Sequence, residues 1–215
     1  MKNQLTLKNR TIGLAISSFM PCVLALSFLL LAGCGSLTRS DAPATSTWWL
    51  EPLAGNGLSD GVDDDDRTSV LVHVSVVPGL DTANILNLSP NAELSYYTGA
   101  RWTDELPELL NSLIARSLES DGRYQVVSRR NSRNLDRCIL RVEVKAFYAE
   151  LNQAGNTDEV LISMSGAYRC EGAPGREFHI ERRTAVSTNK MSTIVAAFQS
   201  GLNASLEQIL AQISE

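Results

Sequence analysis

Two alternating runs constrain this chain more than any other feature. Cys138, Leu140, Val142, Val144, Ala146 and Tyr148 all fall on even positions, with charged Arg141, Glu143 and Lys145 between them. The second run is also even: Val160, Ile162, Met164, Gly166, Tyr168 and Cys170. A period of two marks strands with one buried face. Turn-rich residues 152–156 join the runs, and a hairpin centred on Ala154 opposes Ala146 to Ile162, Val144 to Met164, Leu140 to Tyr168 and Cys138 to Cys170. Apolar faces then match throughout, which is what specifies register in a sheet with one buried side. Directly opposed cysteines are within bonding reach, so this register predicts a structural disulfide between Cys138 and Cys170. Two separate buried thiols, or a register slipped by two, are the alternatives. No Cys-x-x-Cys spacing points to redox chemistry.

The flanking segments supply the rest of a domain. Val70, Val72, Val74 and Val76 share one face of a strand over 69–77, with His73 and Ser75 opposite, and Pro78-Gly79 ends it. Residues 85–88 and 93–96 flank Ser89-Pro90-Asn91 as a short hairpin. A helix is expected over 104–120, capped by Thr103, with Pro107 tolerated in its first turn. Its apolar stripe runs from Leu106 through Leu110 and Ile114 to Leu118. Gly122 stands where a helix C-terminal glycine belongs, before a strand at 124–127. Phe178 and Ile180 face inward on a further strand, with His179 opposite. A last helix over 191–213 presents Ile194, Phe198, Leu202, Leu206 and Ile209, and Gly201 weakens its middle by up to about 1 kcal/mol. The expected fold is α+β: two layers, with a largely antiparallel sheet and two amphipathic helices packed on one face.

The N-terminus does not belong to that domain. Lys2, Lys8 and Arg10 precede an apolar run over about 11–31 that ends in Leu31-Ala32-Gly33-Cys34. Small residues before a cleavage point, then a cysteine, resemble the bacterial lipobox. Residues 1–33 are therefore read as a cleaved signal peptide and Cys34 as the lipidated residue. An uncleaved membrane helix is the alternative, weakened by Gly13, Ser17, Ser18, Pro21 and Gly33. Residues 34–46, rich in Ser, Thr, Ala and Pro, form a flexible tether, and residues 47–215 a single periplasmic domain. Gly35, where an acidic residue would favour inner-membrane retention, points to the outer membrane, facing the periplasm.

Charge and motif content narrow the function. The chain has 19 basic and 24 acidic residues, and three of the cations lie in the first 33 positions. The remainder has 16 against 24, a net charge of −8 that opposes nucleic-acid binding. The loop at about 54–67 carries Asp63 to Asp66. These four lack the alternation and distal Glu of a calcium loop and read as a solvated charge run. The two histidines sit singly on strand faces, and no phosphate loop or nucleophile elbow occurs. The reading is a non-enzyme without a cofactor or metal, apart from the covalent lipid on Cys34.

The order of features resembles the ABC-type transport auxiliary lipoprotein family. The residues that carry this are Cys34, Trp48-Trp49-Leu50, Val77-Pro78-Gly79-Leu80-Asp81, Ile85, Leu94 and Tyr96, and Arg101-Trp102 before a Leu-rich helix. The acidic loop is longer than the family pattern needs. The resemblance implies traffic of lipids or hydrophobic compounds between inner and outer membranes. The chain would act as an outer-membrane docking adaptor for a periplasmic partner carrying MCE (mammalian cell entry) domains. Trp48, Trp49, Tyr96, Tyr97 and Trp102 are the candidate partner contacts, because Trp and Tyr are enriched at interface hot spots. Core packing is the competing role, above all for Trp102. The alternative function is an assembly lipoprotein that binds an outer-membrane β-barrel machine.

Overall fold

Short turns dictate antiparallel neighbours, while longer connections leave strand direction open; this chain uses both. The computed structural model describes residues 44–55, 67–127 and 138–214. The expected signal segment, Cys34, most of the expected tether and the run Asp63 to Asp66 lie outside them. Within the compact unit Ala44–Glu215 the elements are β1 (Ser46–Trp48), β2 (Thr68–Val76), β3 (Asn84–Leu88), β4 (Leu94–Trp102), α1 (Leu106–Asp121), β5 (Tyr124–Val126), β6 (Cys138–Leu151), β7 (Thr157–Cys170), β8 (Arg176–Ala185) and α2 (Met191–Ser214).

The sheet is mixed rather than largely antiparallel. β6, 14 residues long, is lined on one side by antiparallel β7, which pairs in turn with antiparallel β8. On its other side β2 runs parallel to its first half, from Val70 opposite Cys138 to Val76 opposite Val144. β3 runs parallel to its second half, with Asn87 opposite Ala149. The sheet therefore forks. One arm adds β5 parallel to β2, and the other adds β4 antiparallel to β3 and then β1 parallel to β4. Only the β3–β4, β6–β7 and β7–β8 turns are short enough to impose antiparallel pairing. The segment after β2 and the crossover through α1 permit the parallel pairs.

The long hairpin follows the expected register from Cys138–Cys170 through Leu140–Tyr168 to Val144–Met164, and the two cysteines are bonded. It then slips by one residue. Ala146 pairs with Ser163, not Ile162, and Phe147 takes Ile162. One extra residue in β6 reverses which side chains point inward beyond it, as in a β-bulge. Phe147 is consequently 1% exposed. Its ring stacks on Phe198 at 5.0 Å, and Trp102 meets both rings edge-on, at 6.0 Å from Phe147 and 5.2 Å from Phe198. These three rings join β4, β6 and α2 in the core.

α1 starts later than its charge pattern suggests. Its N-cap is Glu105 rather than Thr103, with no side-chain cap bond. The Asp104 Oδ1 accepts from the Glu105 N–H at 2.9 Å, and the Leu106 N–H donates to the Thr82 carbonyl, so one adjacent side chain and one tertiary contact satisfy what a threonine cap would have. The C-terminus is as expected: Gly122 adopts φ 85° and donates to the Glu119 carbonyl. In α2, Gly201 has a positive role. A Cβ there would lie 3.0 Å from Thr184 Oγ1 and 3.2 Å from Ile162 Cδ1, so the glycine lets α2 approach β7 and β8.

Candidate interaction surface

The five aromatics singled out by sequence separate by burial. Trp102 is 1% exposed and packs in the ring cluster, so no surface partner reaches it. Trp48, paired with Trp102 across the β1–β4 ladder, is half-buried against the core. Its indole Nε1 is shut from solvent and has no hydrogen-bond partner among the described residues. Tyr97 is half-buried too: its hydroxyl lies 2.6 Å from Thr157 Oγ1, which also bonds Asn189 Oδ1 at 2.9 Å. Burial pushes the Tyr97 phenol above its ordinary pKa, partly offset by the Thr157 bond. Only Trp49, at 58%, and Tyr96, at 56%, are open to solvent.

One further exposed apolar residue was not singled out. Leu94, 41% exposed, stands two positions before Tyr96 on β4, and that i, i+2 spacing in a strand was the available signal. Direct pairs share a face, so Leu94 and Tyr96 lie with Leu88 and Leu86 of β3, and Leu88 lies with Glu150 of β6. This face is opposite the one that meets α2. At its rim the Arg183 Nη1 donates to Glu150 at 2.7 Å and Glu159 at 2.5 Å, and its Nε lies 3.4 Å from Glu181. The bonds to Glu159 and Glu150 hold Arg183 firmly charged and tie the three side chains together at this rim. Trp49 follows the Trp48–Trp102 pair, at the end of β4 opposite Leu94. The structure thus brings Leu94 and Tyr96 together and leaves Trp49 apart.

His73 and His179 are both exposed, on different strands, and no group of three or more His, Cys, Asp or Glu among the described residues could hold a metal. A cleft of about 300 Å³ opens between Leu53, Ser117, Asp121, Arg123, Glu207 and Leu210. In it, Arg123 donates to both carboxylate oxygens of Asp121, at 2.5 and 2.9 Å. That hydrogen bonding raises the Arg123 pKa, and it ties the two side chains together within the cleft.

The family described as ABC-type transport auxiliary lipoprotein component matches residues 61–212. The fold is similar to the crystal structure of a protein described only as uncharacterized, at 19% identity and TM-score 0.59, covering 79% of this chain and 99% of that one. It is also similar to protein XCC0632 from Xanthomonas campestris, of family DUF330, at 18% identity and TM-score 0.58, covering 78% of this chain and 92% of that one. At such identities the likeness is one of fold. No curated protein matches the chain.

Proposed function

Because this chain belongs to the ABC-type transport auxiliary lipoprotein family, we propose that it is the docking adaptor of a transport system that moves lipids or hydrophobic compounds between the two membranes. A lipid on Cys34 would hold it at the outer membrane, and two or more acyl chains make such anchoring stable where one does not. The tether would let the domain reach a periplasmic MCE-domain protein. The adaptor itself would bind and position, leaving transport to the ABC machinery.

The observation that carries this reading is the family match over residues 61–212. One other supports it. Trp49 and Tyr96, with Leu94 beside Tyr96, are large, apolar and exposed on a well-packed domain, and Trp and Tyr are enriched at interface hot spots.

In-cell photocrosslinking from positions 49, 94 and 96 of the full-length protein, followed by mass spectrometry, tests the proposal. Capture of an MCE-domain protein is the expected result. Capture of a β-barrel assembly component alone, with the MCE protein expressed, would replace this reading with the assembly-lipoprotein alternative.

A further inference from the structure

The sheet ends in three outer strands among the described residues, and they differ in chemistry. β8 carries Arg176, Glu177, Glu181, Arg182 and Arg183 within ten residues, a density of charge that discourages strand pairing. β5 is three residues long and leaves residues 71–76 of β2 without a described outer strand, but no large apolar side chain there is exposed. The third edge is different. β1 covers β4 only from Ala100 to Trp102, so no described strand lies outside residues 94–98. That stretch reads Leu-Ser-Tyr-Tyr-Thr, without a charge or a proline, and includes two of the three exposed large apolar side chains among the described residues.

Its backbone is oriented for pairing. The Ser89 N–H donates to the Glu93 carbonyl at 3.0 Å, so Glu93 turns its polar groups toward β3. Backbone direction alternates along an antiparallel pair. Ser95 therefore also faces β3, while Leu94 and Tyr96 direct N–H and C=O outward. β1, lying parallel on the same edge from Ser46 opposite Ala100, demonstrates that this edge accepts a strand. Unpaired strand groups beside exposed apolar side chains are the elements of β-strand addition, in which backbone bonds give affinity and alternate side chains give specificity.

We infer that residues 94–98 of β4 receive an extended segment of the periplasmic partner as an added strand, with apolar side chains at alternate positions over Leu94 and Tyr96. This rests on the adaptor function proposed above. Charge narrows the incoming segment further. Glu93 ends the stretch and is exposed, on a domain of acidic balance. The complementary strand is therefore uncharged along its length and basic where it meets Glu93.

Hydrogen exchange at single-amide resolution tests this, with the mature lipidated protein in detergent and the periplasmic region of the MCE-domain protein as probe. The Leu94 and Tyr96 amides should exchange about tenfold more slowly or better when the probe is added. Tyr96→Pro removes the outward N–H and leaves the β3 ladder intact. It should abolish that protection, whereas Tyr96→Ala, which keeps the donor, should only weaken binding. Protection elsewhere with residues 94–98 unchanged would overturn strand addition and leave the adaptor function standing. Protection of Leu94 and Tyr96 before the probe is added would assign the edge to a second copy or to residues 34–43, and would overturn it as well. No protection anywhere would overturn both readings.

Discussion

Cys138 and Cys170 face each other across β6 and β7 and are bonded, closing the hairpin at the end farthest from its turn. Their 32-residue separation makes the cross-link a substantial restraint on the unfolded chain. Replacing both with Ser should cost about 2–4 kcal/mol. Thermal unfolding of the variant, and of the wild type under reducing conditions, should show matching falls in Tm.

The exposed and buried tryptophans should behave oppositely. Trp102→Ala empties the centre of the three-ring cluster and is expected to cost about 3–5 kcal/mol. Trp49→Ala, at a site 58% exposed, should change stability by no more than about 0.5 kcal/mol. Denaturant titration of the two variants is the check, and a large loss at Trp49 would mean that it packs against the domain.

Gly166 occupies a position no larger residue fits. A Cβ there would lie 2.3 Å from the Arg141 carbonyl oxygen and 2.5 Å from Phe178 Cζ. Gly166→Ala should therefore destabilise by about 1–3 kcal/mol through overpacking, although alanine normally favours order over glycine. An unchanged Tm would show that β7 shifts at no cost.

Four tyrosines make stability fall in alkali. Burial raises the pKa of Tyr97, Tyr124, Tyr148 and Tyr168 above the ordinary 10.0. The folded state therefore keeps these phenol protons after the unfolded chain would release them. The contribution is complete below pH 10 and lost as pH rises through the folded values. Tm should decline above about pH 10, and tyrosinate absorbance at these four should lag until unfolding begins. Tyr97→Phe should reduce the slope of that decline.

Much of the fold was legible because local physics decided it. The pairing of Cys138 with Cys170 followed from two even-numbered apolar runs around a polar turn. Gly122 ended α1 because only glycine readily takes its positive φ. The surface was legible in part. Trp102 was legible first as a core residue, yet no pattern distinguished Tyr96 and Trp49 from Tyr97 and Trp48, since exposure depends on what the rest of the chain places over each ring. Leu94 was overlooked because a leucine in a strand usually points inward.

The sequence by itself determined the strands with a buried face, the helix stripes, the disulfide and the family features of the chain. Tertiary structure decided the rest. It set β2 and β3 parallel along successive halves of β6, because alternation records that a strand has a buried face and says nothing of its neighbour's direction. It placed Phe147 in the core through one extra residue in β6, which no periodicity announces. It also left residues 94–98 of β4 at an edge, because β1 is only three residues long and covers the far end of that strand.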